Sequence, residues 1–226
     1  MVESSLHEAV KNWYSHPGDL LEQWVDGYIV DIVRDELLIE IQTSNFSAIK
    51  DKIISLIAKH HLRLVLPLAK LKWIIKLGSG DREILSKRKS PKKGRVEEVF
   101  DELVYLPKLI TDSNFSLNVL LIHSEEVLID DGLGSWRRKK WSVLDRHLLK
   151  VVDNVMFNSP TDFLELLPEN LSIPFTVAEL SKELRLRVSL AQRMAYCLRK
   201  MDVIKLVGKR GRAFLYVPCD ADWADR

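Results

Sequence analysis

Cysteine is scarce in this sequence. Cys197 and Cys219 stand alone near the C-terminus, with neither a disulfide framework nor metal-ligand spacing around them. Nine glycines in 226 residues are far too few for a collagen-like chain. A hydrophobic content of 46% is in turn too high for a disordered one. No uncharged apolar run approaches the ~18–20 residues of a membrane span. Met1 is followed by Val-Glu-Ser-Ser, not by a basic patch and an apolar stretch, so neither a membrane segment nor a secretory signal is expected. Gly78-Ser79-Gly80-Asp81 lacks the lysine of a phosphate-binding loop, and no serine sits in a nucleophile elbow. These absences leave a cytoplasmic globular protein of one or two domains.

Charge is present in both signs but unevenly placed. The whole chain carries a formal +2, yet residues 176–217 hold ten Lys/Arg against three Asp/Glu. A second basic block runs from Arg82 to Arg95 and contains Lys87, Arg88, Lys92 and Lys93. A third is Trp136-Arg-Arg-Lys-Lys-Trp141. Local stripes of this kind attract polyanions whatever the overall charge, which makes DNA the expected partner. Each basic run taken alone also reads as an ordinary solvated loop, and the two tryptophans as packing against their own fold.

The apolar spacing predicts a helix over 5–15, strands at 21–25, 28–33 and 37–43, a helix over 45–59, and strands at 62–68 and 71–77. Asp26-Gly27 and Asp35-Glu36 separate the first three strands, the former pair being a strong hairpin signal. A linker is expected over 79–95, a helix over 96–106, a hairpin over 115–129 and a helix over 143–157. Thr176-Val-Ala-Glu179 and Ser189-Leu-Ala-Gln192 have the spacing of capping boxes that open two short helices. Strands at 203–207 and 213–217 then flank Gly208-Lys209-Arg210-Gly211-Arg212. Over roughly 143–218 this order resembles a winged helix. The resemblance implies that the helix 190–200 enters a major groove while the hairpin lies along the backbone. Arg193, Arg199, Lys209, Arg210 and Arg212 are then the nucleic-acid contacts. A winged helix that mediates protein contacts is the other reading.

The sharpest chemistry lies in Tyr28–Thr43. If Asp35-Glu36 forms a two-residue turn, Arg34 pairs with Leu37, and equal steps back place Asp31 opposite Glu40. Two carboxylates about 5 Å apart in an otherwise apolar sheet repel one another. A divalent cation between them removes that cost, and their hard oxygens favour Mg²⁺ or Mn²⁺. An exposed hairpin with its acids in water is the bland alternative.

Over residues 5–77 the chain resembles the restriction-endonuclease-like PD-(D/E)xK nuclease superfamily. The likeness rests on the first helix with Glu8, the strand acid Asp31, the tripeptide Glu40-Ile41-Gln42, and the helix and strand after it. It implies an α/β (α+β) fold, a mixed sheet flanked by helices, with Asp31, Glu40 and the Ile41 carbonyl as metal ligands and Glu8 assisting. Gln42 stands where the superfamily has lysine, and Val30 stands where it has proline. A neutral amide can position water but supplies no cation, so Lys50 or Lys52 on the next helix is the candidate replacement. Glu22 is a further candidate, and His60-His61 reads as loop surface. The expected whole is a nuclease core over 1–142 and a winged helix over 143–226, forming a Mg²⁺-dependent DNA endonuclease. The many dimeric members of this fold leave a homodimer open. A non-catalytic DNA-binding protein and a module of a larger repair or defence assembly are the rival readings.

Overall fold

The computed structural model describes residues 5–78, 80, 82–134 and 141–219. Helix α1 (Ser5–Tyr14) is followed by three antiparallel strands, β1 (Leu20–Val25), β2 (Tyr28–Arg34) and β3 (Leu37–Ile41). Both connecting turns have two residues. Asp26 and Gly27 take φ of 48° and 86°, and Asp35 takes 52°, the left-handed values that tight hairpin turns require. A short 3-10 turn (Phe46–Ile49) leads into α2 (Lys50–Ile57), which crosses over so that β4 (His61–Leu77) runs parallel to β3. β5 (Ile84–Lys89) pairs with the distal half of β4. Strand β6 (Phe115–Ile129) is parallel to β4, and β7 (Ser142–Phe157) is antiparallel to β6. Among the described residues the sheet thus has seven strands in the order β1-β2-β3-β4-β6-β7, with β5 to the side.

The two faces of the sheet are covered by different helices, because alternate residues along each strand point to opposite sides. Leu38, Leu62, Leu64 and Leu66 meet Phe46, Ile53 and Leu56 of the crossover segment. Ile32, Ile39, Ile41 and Val65 meet Leu6, Val10 and Tyr14 of α1. The mixed α/β class expected from the sequence is the class observed.

Several sequence expectations are corrected. The stretch 143–157 is strand β7, not a helix. Its apolar residues Leu144, Leu148, Val151 and Val155 fall at helical spacing, but three register shifts along the β6–β7 ladder break the strict alternation of a strand. The expected boundary at 142/143 consequently falls inside the last strand of the sheet, just after its first residue. Residues 115–129 form one continuous strand rather than a hairpin. Residues 61–77 likewise form one strand, with an irregularity between Ala69 and Leu71. Gly94 lies against that irregularity so closely that an added Cβ would stand 2.2 Å from the Ala69 carbonyl oxygen. Ile84–Lys89 of the expected linker is β5. The helix expected over 96–106 shrinks to a 3-10 turn (Val96–Val99) and the single turn α3 (Phe100–Leu103).

After β7, Ser159 caps a 3-10 helix (Pro160–Leu166) through a capping box with Asp162. α4 (Val177–Glu183) opens with the Thr176–Glu179 capping box as expected. α5 (Val188–Lys200) does not use the second: its N-cap is Arg187, so Ser189 already lies inside the first turn. β8 (Ile204–Arg210) and β9 (Ala213–Pro218) form the hairpin, and Phe175 bridges to Tyr216. Helix, helix, hairpin and bridging residue are thus present over 175–218, while the preceding helical element is the 3-10 segment. No helix among the described residues is long and apolar enough to cross a membrane.

These C-terminal elements share the core of the sheet. Phe163 is wholly buried, stacked on Phe157 at 4.1 Å and tilted against Phe100 at 5.8 Å. Leu190, Ala191 and Met194 of α5 belong to the same buried cluster as Val99 and Phe100. Phe163→Ala is expected to cost about 3–5 kcal/mol. Urea unfolding followed by tryptophan fluorescence and circular dichroism should remain a single transition. Two separated transitions would show that the C-terminal elements fold independently of the sheet.

Candidate functional site

The β2–β3 ladder runs from Arg34↔Leu37 through Val33↔Leu38 to Ile32↔Ile39. One step further in the same register stand Asp31 and Glu40, the two acids the sequence placed opposite one another. There the two strands part. The Ile41 amide donates not to a backbone carbonyl of β2 but to Asp31 Oδ2, at 2.7 Å. A side-chain acceptor thus replaces a backbone one at the last rung, which keeps the Ile41 N–H satisfied while the strands splay.

Each side of the splay is filled by a helix residue. From α1, His7 Nε2 lies 2.8 Å from the Ile41 carbonyl oxygen and 3.2 Å from Asp31 Oδ2. Both neighbours are acceptors, so Nε2 carries the proton. From α2, the Lys52 ammonium forms an ion pair with Glu40 Oε1 and donates to the Ile29 carbonyl at 2.5 Å. One turn along α1 from His7, the buried Lys11 pairs with Glu22 Oε1 at 2.6 Å. Two carboxylates, an ammonium and an imidazole N–H therefore converge where the strands diverge.

The electrostatics separate the two acids. Burial works against the Asp31 charge, but the hydrogen bonds from His7 and from the Ile41 amide outweigh it and hold its carboxyl below the usual range. Glu40 is only 5% exposed; burial, followed by the charge of Asp31, pushes its pKa up to about 7 despite the pull of Lys52. The pair thus ionises in order, Asp31 first.

Some expected participants lie elsewhere. Glu8 is exposed, one residue and about 100° around the helix from His7. Lys50 sits two residues from Lys52, hence on another side of α2, and lines a groove with Ile54, Tyr105 and Lys108. Gln42 is turned into the following loop, where Nε2 donates to the carbonyls of Ser44 and Asn45. The Ile41 carbonyl accepts from His7. Among the described residues no three His, Cys, Asp or Glu side chains form a ready-made metal cage. His7 and Lys11 were not singled out from sequence. The available signal was Lys11 interrupting the apolar face of Leu6, Val10 and Tyr14, with His7 one turn away.

The basic residues fall into two groups. Arg193 is held by Asp101 Oδ1 at 2.5 Å, and Arg187 joins the same carboxylate, so this side of α5 is tied to α3. Arg193, expected as a nucleic-acid contact, is thus engaged by an acid of the sheet-bound segment. Arg210 bonds Glu179 Oε1 at 2.6 Å, Lys87 bonds Glu125 Oε1 at 2.6 Å, and Lys92 bonds Glu98 Oε1 at 2.7 Å. Lys209 rests over the Phe214 ring at 5.0 Å. Arg88 and Lys93 are exposed. Arg199 and Arg212 share a groove of about 440 Å³ between α5 and the hairpin, with Gln192, Tyr196 and Phe214. Lys76 covers the Trp141 ring at 4.2 Å, whereas Trp136 lies outside the described residues. His60 pairs with Asp26 of the β1–β2 turn at 3.1 Å.

A family model described as "Domain of unknown function (DUF8091)" matches residues 4–158. The chain belongs to this family. The DUF8091 segment ends one residue after β7, so it takes in the complete seven-stranded sheet, α1, α2 and the acid pair, and leaves the 3-10 helix, α4, α5 and the hairpin beyond it. A protein of Treponema pallidum (strain Nichols), described as "Uncharacterized protein", is 31% identical over 218 residues, covering 95% of this chain and 84% of its own. No solved structure matches the chain.

Folding raises the Glu40 pKa from an ordinary 4.5 to about 7. Between those values the folded chain holds more protons than the unfolded one. This contribution to stability therefore falls as pH rises through the window and levels off above it. Glu40→Gln cannot lose that proton. At pH 8 it should be more stable than the wild type by about 1–3 kcal/mol in urea unfolding, with the gap shrinking at pH 5. A variant less stable than the wild type at pH 8 would show that the Lys52 ion pair outweighs burial.

Proposed function

We propose that this protein is a divalent-metal-dependent nuclease of the PD-(D/E)xK type, acting on DNA in the cytoplasm, with Asp31, Glu40 and Lys52 as its centre. The observation that carries the reading is the meeting of two strand carboxylates with a helix-borne ammonium at a splayed strand end. The donor set fits a hard cation: Asp31 and Glu40 would hold it, joined by the Ile41 carbonyl once His7 turns to Asp31 alone. The raised proton affinity of Glu40, caused by burial and by Asp31, is an electrostatic cost that such a cation offsets. When bound, Mg²⁺ or Mn²⁺ supplies charge neutralisation at the phosphate and acidifies water.

The chain's own residues do the rest. His7 Nε2–H orients the Asp31 carboxylate. Lys52 provides the cation that Gln42 cannot: with Glu40 holding a metal, the Lys52 ammonium would be free to pair with a phosphate oxygen. Arg199 and Arg212, with Tyr196 and Gln192 between them, supply a groove of the right polarity for a nucleic-acid backbone.

A second reading has a specific observation behind it. Lys52 already pairs with Glu40 and His7 with the Ile41 carbonyl, which equally suits a metal-free core that only carries a DNA-binding tail. Mn²⁺ titration separates the two. The nuclease reading requires Mn²⁺ binding to the wild type and its loss in Asp31→Ala and Glu40→Ala. It also requires Mg²⁺-dependent cleavage of DNA that Lys52→Gln lowers by at least ~10²-fold while metal binding persists. Absence of Mn²⁺ binding by the wild type leaves the metal-free reading.

The groove makes a separate expectation. Arg199→Ala and Arg212→Ala should each weaken DNA binding and reduce the slope of log affinity against log salt by about 1. Arg193→Ala should instead lower stability and leave that slope unchanged. A salt slope untouched by the first two variants would remove the groove from the DNA path.

A further inference from the structure

α1 covers its face of the sheet only as far as Tyr14. His16-Pro17-Gly18-Asp19 then turns the chain away, and Gly18 takes a φ of 98° at that bend. Beyond the helix end a cavity of about 480 Å³ remains, lined by Trp13, His16, Arg34, Arg63, Asn154 and Met156 together with the Tyr14 side chain. β4 contributes Arg63 to this lining and β7 contributes Asn154 and Met156. Arg63 alternates with Val65, which meets α1, so the guanidinium emerges on this face where the helix has ended.

The charges in the cavity do not cancel. Arg34 has its charge paired: Nε and Nη2 bond the two Asp19 oxygens at 2.9 and 2.8 Å, Nη2 also bonds the Tyr14 carbonyl, and the guanidinium lies over the Tyr14 ring at 5.7 Å. The Arg34 hydrogen bond lowers the Asp19 pKa to about 2, so this pair persists across the ordinary pH range. Arg63 differs. It is half-buried, and its hydrogen bond among the described residues is a long one to Ser116 Oγ, at 3.4 Å. Among the described residues no Asp or Glu lines the cavity to neutralise it.

Trp13, an indole 49% exposed, and Met156 line the same cavity as that guanidinium. An uncompensated guanidinium matches a phosphate through paired N–H donors. An open indole face with a thioether matches a flat aromatic ring. The volume lies within the range of small-molecule sites. We propose that this cavity binds a nucleoside monophosphate, its phosphate on Arg63 and its base against Trp13. The site lies at the opposite end of α1 from His7 and does not rest on the nuclease reading.

Isothermal titration calorimetry on the full chain tests it, with AMP, adenosine and inorganic phosphate as probes. AMP should bind the wild type at least about tenfold more tightly than either fragment, because both halves of the site contribute. Arg63→Gln should weaken AMP by about tenfold or more, and Trp13→Ala, at a half-exposed position, should weaken it measurably with no shift in the urea midpoint. Asp31→Ala should leave AMP affinity unchanged, which keeps this result separate from the fate of the carboxylate site. A 5′-phosphorylated oligonucleotide that binds more tightly than AMP with the same Arg63 dependence would identify a strand end as the source of the nucleotide, and a weaker one a free nucleotide. Absent AMP binding, AMP binding indifferent to both substitutions, or phosphate alone binding as tightly as AMP overturns the proposal.

Discussion

The hydrogen bond from the Ile41 amide to Asp31 is the contact on which the candidate site depends. A β-ladder ends cheaply only where its last polar groups find other partners. Here a carboxylate takes the place of a carbonyl, so β2 and β3 can separate without leaving an amide unsatisfied. The separation makes room for Lys52 to reach the Ile29 carbonyl and Glu40 from one side, and for His7 to approach the Ile41 carbonyl from the other. Burial weighs on both acids, but at Asp31 the N–H donors of His7 and the Ile41 backbone outweigh it, whereas at Glu40 burial and the Asp31 charge prevail over Lys52.

A second constraint governs the C-terminal elements. α5 buries Leu190, Ala191, Met194, Ala195, Cys197 and Leu198, which leaves Gln192, Tyr196 and Arg199 on its open side. Asp101 holds both Arg187 and Arg193 and so fixes which side faces the sheet. The basic character counted along 176–217 is therefore divided: part of it ties the helix down, and part faces outward beside the hairpin.

The sequence was most informative where local rules dominate. The Asp26-Gly27 and Asp35-Glu36 turns, the pairing of Arg34 with Leu37, and the Thr176–Glu179 cap are all dictated by neighbouring residues and were legible. The opposition of Asp31 and Glu40 came from that register alone. The illegible parts depend on distant partners. β7 reads as a helix because bulges disturb its alternation, and only its pairing with β6 makes it a strand. The choice of Lys52 over Lys50 required the rotation of α2 against the sheet, and His7 required the position of α1 over Ile41. Arg193 looked free because its acid, Asp101, lies 92 residues earlier.

The stacked rings of Phe157 and Phe163 join the last strand of the family segment to the 3-10 helix that opens the C-terminal elements. Cutting the chain at that junction would leave the flat side of Phe157, and the edges of Phe100 and Val99, bare toward solvent. Such a fragment would carry a ready-made sticky patch, so the sheet cannot be shortened to its family boundaries without courting self-association.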